Sequence, residues 1–333
     1  MRVLVTGGAG YIGSVVTDHL LDCGHQPIVV DNLSRGHRDA VPDGVPLIEA
    51  DLANTSALER IFATYRVDAV MHMAAFAYVG ESVTEPALYY RNNVGGGLSL
   101  LEAMARSGVS RVVFSSTCAV YGEPKRLPIE ETHPLSPASP YGETKLAIER
   151  ALHWHRAAYG LSFISLRYFN AAGATKNHCE RHDPEPHLIP VVLQTAAGRR
   201  PYVTIFGTDY PTVDGTCIRD YVHVSDLARA HVLALSALAS GERNADFYNL
   251  GCGGDGYSVR AVIDLAREVT GRKITVKEGP RRVGDPAILV ASSEKAAREL
   301  AWKPQLQDLR LMIDSAWEWM GESVRLSGRK KPI

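Results

Sequence analysis

Thr6-Gly7-Gly8-Ala9-Gly10-Tyr11-Ile12-Gly13 decides the fold. It follows the β-branched run Val3-Leu4-Val5 and opens a helical stretch reaching about Cys23. Glycines here let the backbone turn tightly and approach a pyrophosphate closely. A helix N-terminus at this point aims unpaired N–H groups and a partial positive charge at phosphates. Two spacings overlap, Gly7-x-x-Gly10-x-x-Gly13 and Gly8-x-Gly10-x-x-Gly13. Glycines alone would equally suit a plain strand-to-helix turn. The context adds Asp31 at the end of the next apolar run, 18 residues after Gly13. A carboxylate there accepts hydrogen bonds from an adenosine ribose diol and repels a 2′-phosphate, favouring NAD over NADP. Arg35 is the nearby residue suited to a 2′-phosphate.

Working outward, largely apolar runs at Arg2–Thr6, Gln26–Asp31, 46–50, 69–73, 112–115 and 163–168 read as parallel strands buried on both faces. Helices are expected between them, at about 11–23, 54–65, 86–107 and Pro140–Tyr159. Strand–helix–strand repetition predicts an α/β fold with a doubly wound parallel (Rossmann) sheet. Ser139 is a fitting N-cap for the last of these helices, Pro140 its first residue and Gly160 its stop. After Gly173 a polar, aperiodic run (174–187) leads into further elements near 189–198, 202–206, 225–239 and 258–270. The expected division is a dinucleotide-binding domain at 1–173 and a smaller α/β substrate-binding domain at 174–333. Segments near 215–240 are expected to pack back on the first domain.

Apolar residues make up 45% of the 333 residues, charged residues 22%, and the net charge is −1. That composition suits an ordinary globular protein and carries no basic stripe for nucleic acid. The one basic cluster, Arg329-Lys330-Lys331, reads as a solvated tail. No apolar run approaches a membrane span, and no signal peptide is expected. Five widely spaced cysteines argue against a disulfide framework and for the cytoplasm.

Tyr141 and Lys145 lie four residues apart, on one face of the Pro140–Tyr159 helix. A phenol titrates near 10, and an ammonium nearby favours the phenolate, turning the tyrosine into a proton acceptor. Alone, the pair could be surface decoration. The fifth strand, however, ends in Ser115-Ser116-Thr117, and strand C-termini form the ligand crevice of such sheets. Thr117 is the candidate hydroxyl for the reacting oxygen, with Ser115 nearer the cofactor. Asp51-Leu52, ending the third strand, either closes over an adenine or caps the helix beginning near Asn54.

Together these segments resemble the extended short-chain dehydrogenase/reductase family, and within it the UDP-sugar 4-epimerases. Asn92-Asn93-Val94, Arg167-Tyr168-Phe169-Asn170, His187-Leu188-Ile189-Pro190, Arg219-Asp220-Tyr221 and Arg281-Arg282-Val283-Gly284-Asp285 extend the resemblance over nearly the whole chain. It implies C4 inversion of UDP-glucose and UDP-galactose through a 4-keto sugar, with Tyr141 as base and acid, Thr117 as bridge and Lys145 tuning Tyr141. It implies an NAD site of Gly7, Gly10, Tyr11, Ile12, Gly13, Asp31, Asn32, Asp51, Leu52, Ala74, Ala75, Asn93, Ser115, Tyr141, Lys145 and Tyr168. It implies a UDP-sugar site of Thr117, Tyr141, Asn170, His187, Leu188, Arg219, Arg282 and Asp285. It also implies a homodimer paired through the helices at 86–107 and 140–159.

Ala77 stands where some 4-epimerases carry a lysine on the cofactor pyrophosphate, which implies looser NAD retention. Leu289 matches a position gating the sugar pocket, intermediate between a restricting tyrosine and a small residue that admits N-acetyl groups. UDP-N-acetylhexosamine and UDP-xylose/UDP-arabinose therefore remain alternative substrates. A non-catalytic NAD-binding sensor or scaffold is the alternative of another class, opposed by the intact Tyr141/Lys145 pair. His178, Cys179, His182 and His187 are irregularly spaced, so a polar loop and no metal are expected. Cys118 reads as a packing residue.

Overall fold

The computed structural model describes residues 1–282 and 284–327, with side chains through residue 321. Val283 and the Arg329-Lys330-Lys331 cluster lie outside the described residues. The apolar runs form β1 (Arg2–Thr6), β2 (Gln26–Asp31), β3 (Leu47–Glu49), β4 (Ala69–His72), β5 (Arg111–Thr117) and β6 (Ser162–Tyr168). With the strand Ala245–Leu250 they make a seven-stranded sheet, ordered Ala245–Leu250, β6, β5, β4, β1, β2, β3, with every pairing parallel. The order reverses between β4 and β1, so a crevice opens beyond the ends of β1, β4, β5 and β6.

Each face of the sheet buries its own apolar layer. α1 (Tyr11–Asp22) and the helix Val224–Ser240 cover one face, through Val15, Val16, Leu20, Leu227, Leu235 and Leu238. The helices Thr55–Tyr65, Gly96–Ser107 and Pro140–Tyr159 cover the other, through Leu58, Phe62, Leu100, Met104, Ile148 and Leu152. A third core gathers Val192, Leu193, Ile205, Val262, Ile263, Met312 and Ile313 around the helices Leu188–Ala196, Val259–Thr270 and Leu309–Ser327. Among the described residues no helix is long and apolar enough to cross a membrane.

The helix expected at 86–107 runs its whole length but is not regular. A turn at Pro86–Tyr89 passes into a wide π-helical stretch, Tyr90–Gly95, before Gly96–Ser107 resumes. The cause is local. Asn93 turns its amide toward Phe76 and Thr144, and the glycines that follow bring the backbone against other helices. A Cβ on Gly97 would meet Ile148 Cδ1 at 2.5 Å. The strand Ala245–Leu250 escaped the sequence reading because Asp246 and Asn249 interrupt its apolar pattern. Asp246 faces the Lys295 ammonium, and Asn249 is buried on a hydrogen-bond network.

The Pro140–Tyr159 helix has the expected ends. Ser139 Oγ accepts the Gly142 N–H at 3.3 Å, and Gly160 closes it at φ +71°. The two glycines differ in surroundings. Nothing lies within 4 Å of a Cβ built on Gly160, whereas one on Gly142 would sit 2.5 Å from the Ala119 carbonyl oxygen. Gly160→Ala should therefore cost about 1 kcal/mol of left-handed backbone strain. Gly142→Ala should cost up to about 3 kcal/mol, because backbone cannot step aside. Urea midpoints of the two variants check this, and equal midpoints would refute it.

Candidate active site

The glycine loop is closely packed on itself. Gly7 takes φ +74°, and a Cβ there would lie 2.6 Å from the Ala74 nitrogen. On Gly13 it would lie 2.1 Å from the Gly7 carbonyl oxygen. α1 starts at Tyr11, and its N-cap Gly10 offers no side-chain cap, so its first N–H groups lie at the crevice. Such a turn has the shape and polarity to accommodate a pyrophosphate. Asp31 Oδ2 accepts the Ala9 N–H (3.1 Å) and Oδ1 the Leu33 N–H (2.9 Å), leaving lone pairs for a diol. Burial raises its pKa, opposed by those two N–H groups and by His37. Arg35 is held away from a phosphate-binding role. It donates to Glu81 Oε1 at 2.7 Å and lies over the Phe76 and Tyr78 rings.

Gly7, Gly10, Tyr11, Ile12, Gly13, Asp31, Asn32, Asp51, Leu52, Ala74, Ala75, Thr117, Tyr141, Lys145 and Tyr168 all line one cleft of about 1080 Å³. Asp51 does not cap the helix; Asn54 does, accepting the Ala57 N–H at 3.0 Å. Asp51 instead takes the Asn32 amide (2.9 Å) and the Ala53 N–H (2.8 Å). Asn93 and Ser115 stand behind the lining. Asn93 ties the 74–78 strip to Thr144, and the Ser115 hydroxyl pairs with His231 Nε2 at 3.1 Å.

Tyr141 and Lys145 reach the cleft from the first turns of their helix, both buried. Lys145 Nζ donates to the Ser115 carbonyl at 2.7 Å and lies 5.0 Å over the Phe114 ring. Burial lowers its pKa to about 7 against the pull of Glu149. Tyr141 moves the opposite way. Burial raises its pKa well above the ordinary phenol value, the Tyr168 phenol adds to this, and a hydrogen bond with Thr117 opposes it. The sequence reading expected Lys145 to draw the phenol down; in the folded protein desolvation dominates both groups. The Thr117 hydroxyl oxygen accepts the Ala119 N–H at 3.1 Å, which leaves its proton to donate. Cys118 is buried with its pKa raised to about 12, a packing residue.

Across the cleft stand Asn170, His187, Leu188, Arg219, Arg282, Asp285 and Leu289. Arg219 pairs with Asp285 and donates to the Ile218 carbonyl at 2.7 Å. Arg282 lies 3.9 Å over the Phe206 ring. In the loop expected to be polar and metal-free, His178 bonds Asp18 at 2.8 Å. His182 and His187 converge with Glu180 and Glu185, two carboxylates the sequence reading passed over.

The chain belongs to the NAD dependent epimerase/dehydratase family, whose model matches residues 3–251. It is 52% identical over 324 residues to the UDP-glucose 4-epimerase of Halalkalibacterium halodurans, covering 97% of this chain and 96% of that one. The crystal structure of UDP-glucose 4-epimerase from Brucella ovis in complex with NAD superposes with a TM-score of 0.92 at 46% identity, covering 96% and 98%. That of Bifidobacterium longum, in complex with NAD+ and UDP, gives 0.92 at 37% identity, covering 97% and 99%.

One supporting residue was missed although it left a signal. Glu149 is a charge on the apolar side of the Pro140–Tyr159 helix, between Ile148 and Leu152, and is buried. It receives Arg167 through two bonds, Nε to Oε1 (2.9 Å) and Nη2 to Oε2 (2.7 Å). Glu149→Gln leaves a buried guanidinium uncompensated and should cost about 3–5 kcal/mol. Replacing both partners by apolar residues of similar volume should recover much of that loss. Chemical denaturation of the single and double variants measures both effects.

Proposed function

We propose that this chain interconverts UDP-glucose and UDP-galactose by inverting C4 of the sugar, with Tyr141 as the proton carrier. One juxtaposition carries this reading: the Tyr141 phenol and the Thr117 hydroxyl lie in the same cleft as a glycine cradle on one side and two arginines on the other. The Gly7–Gly13 loop, Asp31 and Lys145 would hold NAD, and the tight glycine contacts and uncapped helix start fit it. NAD supplies a hydride acceptor and donor there, and a positively charged ring.

The chain's own groups do the rest. Tyr141 accepts the C4 hydroxyl proton and returns it once the sugar presents its other face. Thr117 donates to the C4 oxygen and shares the proton's path. Lys145, with one N–H on the Ser115 carbonyl, has two more for a ribose hydroxyl. The guanidiniums of Arg219 and Arg282 match phosphate oxygens and would hold the diphosphate, with Asn170 and Leu188 beside them. Leu289, buried against Tyr121, Leu146 and Phe169, bounds the sugar end.

Two finer readings accompany this one. The enzyme pairs as a homodimer through the helices Gly96–Ser107 and Pro140–Tyr159, on which Leu98, Trp154 and Tyr159 are exposed. A monomeric mass in solution would refute that. It works in the cytoplasm, a reading supported by five free cysteines.

Purified protein incubated with UDP-galactose, without added NAD, should yield UDP-glucose. Tyr141→Phe should lower turnover about 10²–10⁴-fold while fold and cofactor content persist. Absence of product on folded protein, even with NAD supplied, would overturn the reading in favour of another sugar or a non-catalytic scaffold. Unchanged turnover in Tyr141→Phe would overturn the assignment of the proton carrier.

A further inference from the structure

We propose that Glu180, His182, Glu185 and His187 form a divalent-metal site of the zinc class that closes the end of the polar segment on itself at the rim of the cleft. The four residues follow a compact spacing, Glu-x-His-x-x-Glu-x-His, and their ligand atoms all lie within 4.8 Å of one another. The closest approaches trace a ring. His187 Nδ1 is 2.7 Å from Glu180 Oε1 and 3.0 Å from Glu185 Oε1. His182 Nδ1 is 3.1 Å from Glu180 Oε1 and 4.0 Å from Glu185 Oε2. Ligands 2.0–2.1 Å from a tetrahedral zinc are about 3.3 Å apart, so the observed spacings bracket that edge.

The plain alternative is a pair of histidine–carboxylate contacts on a polar loop. It accounts poorly for Glu185. That side chain is 2% exposed, and its Oε2 has no hydrogen-bond partner although it lies inside the cluster. A buried carboxylate oxygen left idle is costly. Both imidazoles also turn the same nitrogen, Nδ1, toward one Glu180 oxygen. A central cation gives every one of these lone pairs a partner and offsets two carboxylates in a desolvated site. Two imidazoles with two carboxylates suit zinc better than magnesium or calcium, which take oxygen. Four protein ligands close the coordination sphere, so the role is structural.

The surroundings are already set for it. The Arg200 guanidinium donates to the Glu185 carbonyl at 3.0 Å, and the His187 N–H holds the Glu185 carboxylate at 2.9 Å. The Tyr78 ring meets both imidazoles edge-on, at 5.2 and 6.1 Å. His187 is also the N-cap of the helix Leu188–Ala196. A metal there closes residues 180–187 on themselves, beside Tyr78 and immediately before that helix.

The test uses the full chain, stripped with a chelator and titrated with Zn²⁺ alone. One equivalent should bind by calorimetry, and the melting temperature should rise. Co²⁺ in its place should give the intense visible bands of a four-coordinate ion, without a near-ultraviolet thiolate band. Glu185→Gln and His182→Ala should each weaken Zn²⁺ binding by more than about 100-fold. The wild-type Co²⁺ spectrum is read independently of whether either variant folds. No stoichiometric uptake, a six-coordinate or thiolate spectrum, or full binding in both folded variants would overturn the proposal.

Discussion

The buried pair of Glu149 and Arg167 is the constraint on which the rest of the site depends. Glu149 takes the guanidinium in two bonds and accepts Ser116 Oγ (2.7 Å) and Ser165 Oγ (2.9 Å) besides. The Arg167 guanidinium also donates to Tyr121 Oη at 3.0 Å, and that hydroxyl donates to Asn249 at 2.7 Å. One helix, β5, β6 and the strand Ala245–Leu250 are thus joined by a single polar network in an otherwise apolar core. Desolvating two charges consumes much of their mutual attraction, so the pair is better understood as fixing register than as adding stability. Lys145 is one turn away on the same helix and Tyr141 one turn further. Their placement against Thr117 follows from where Glu149 is held.

That placement puts Tyr141 and Lys145 in a dry setting. Tyr141 is pushed up, Lys145 is pushed down to about 7, and His72, on the neighbouring strand, is pushed down to about 3. Each shift has burial as its largest cause, and Lys145 adds to the last of them. Desolvation thus disfavours charge at all three positions. A neutral phenol cannot take up a proton, so burial opposes the base role of Tyr141 and has to be offset by positive charge that favours the phenolate. Positive charge brought into the cleft then acts at low dielectric, where it weighs most.

The doubly wound sheet was legible because buried parallel strands are nearly continuous apolar runs. The glycine loop, Asp31 and the Tyr141/Lys145 spacing carried the site for a related reason, since each is local in sequence. What escaped notice depends on distant contacts. Ala245–Leu250 is an edge strand whose polar residues are satisfied by Lys295, Tyr121 and Ile129, none of them near in sequence. The π-helical stretch at Tyr90–Gly95 accompanies Asn93 reaching Phe76, a contact 17 residues away that ties Asn93 to the strip lining the cleft. Arg35 looked like a phosphate ligand until Glu81, from a separate helix, proved to occupy it.

The two sides of the cleft are built on different principles, and the difference matches the chemistry asked of them. The cofactor side rests on regular elements: a glycine turn with no room for a Cβ, an uncapped helix start and strand ends locked by the Glu149 network. The opposite side comes from short strands and irregular segments held by side-chain contacts, such as Arg219 on Asp285 and Arg282 on Phe206. A reaction that moves hydride and proton needs its donor and acceptor fixed to within a fraction of an ångström. A sugar that must present both faces to the same phenol needs its nucleotide held and its ring free. A rigid floor facing a rim of separately held segments meets both demands.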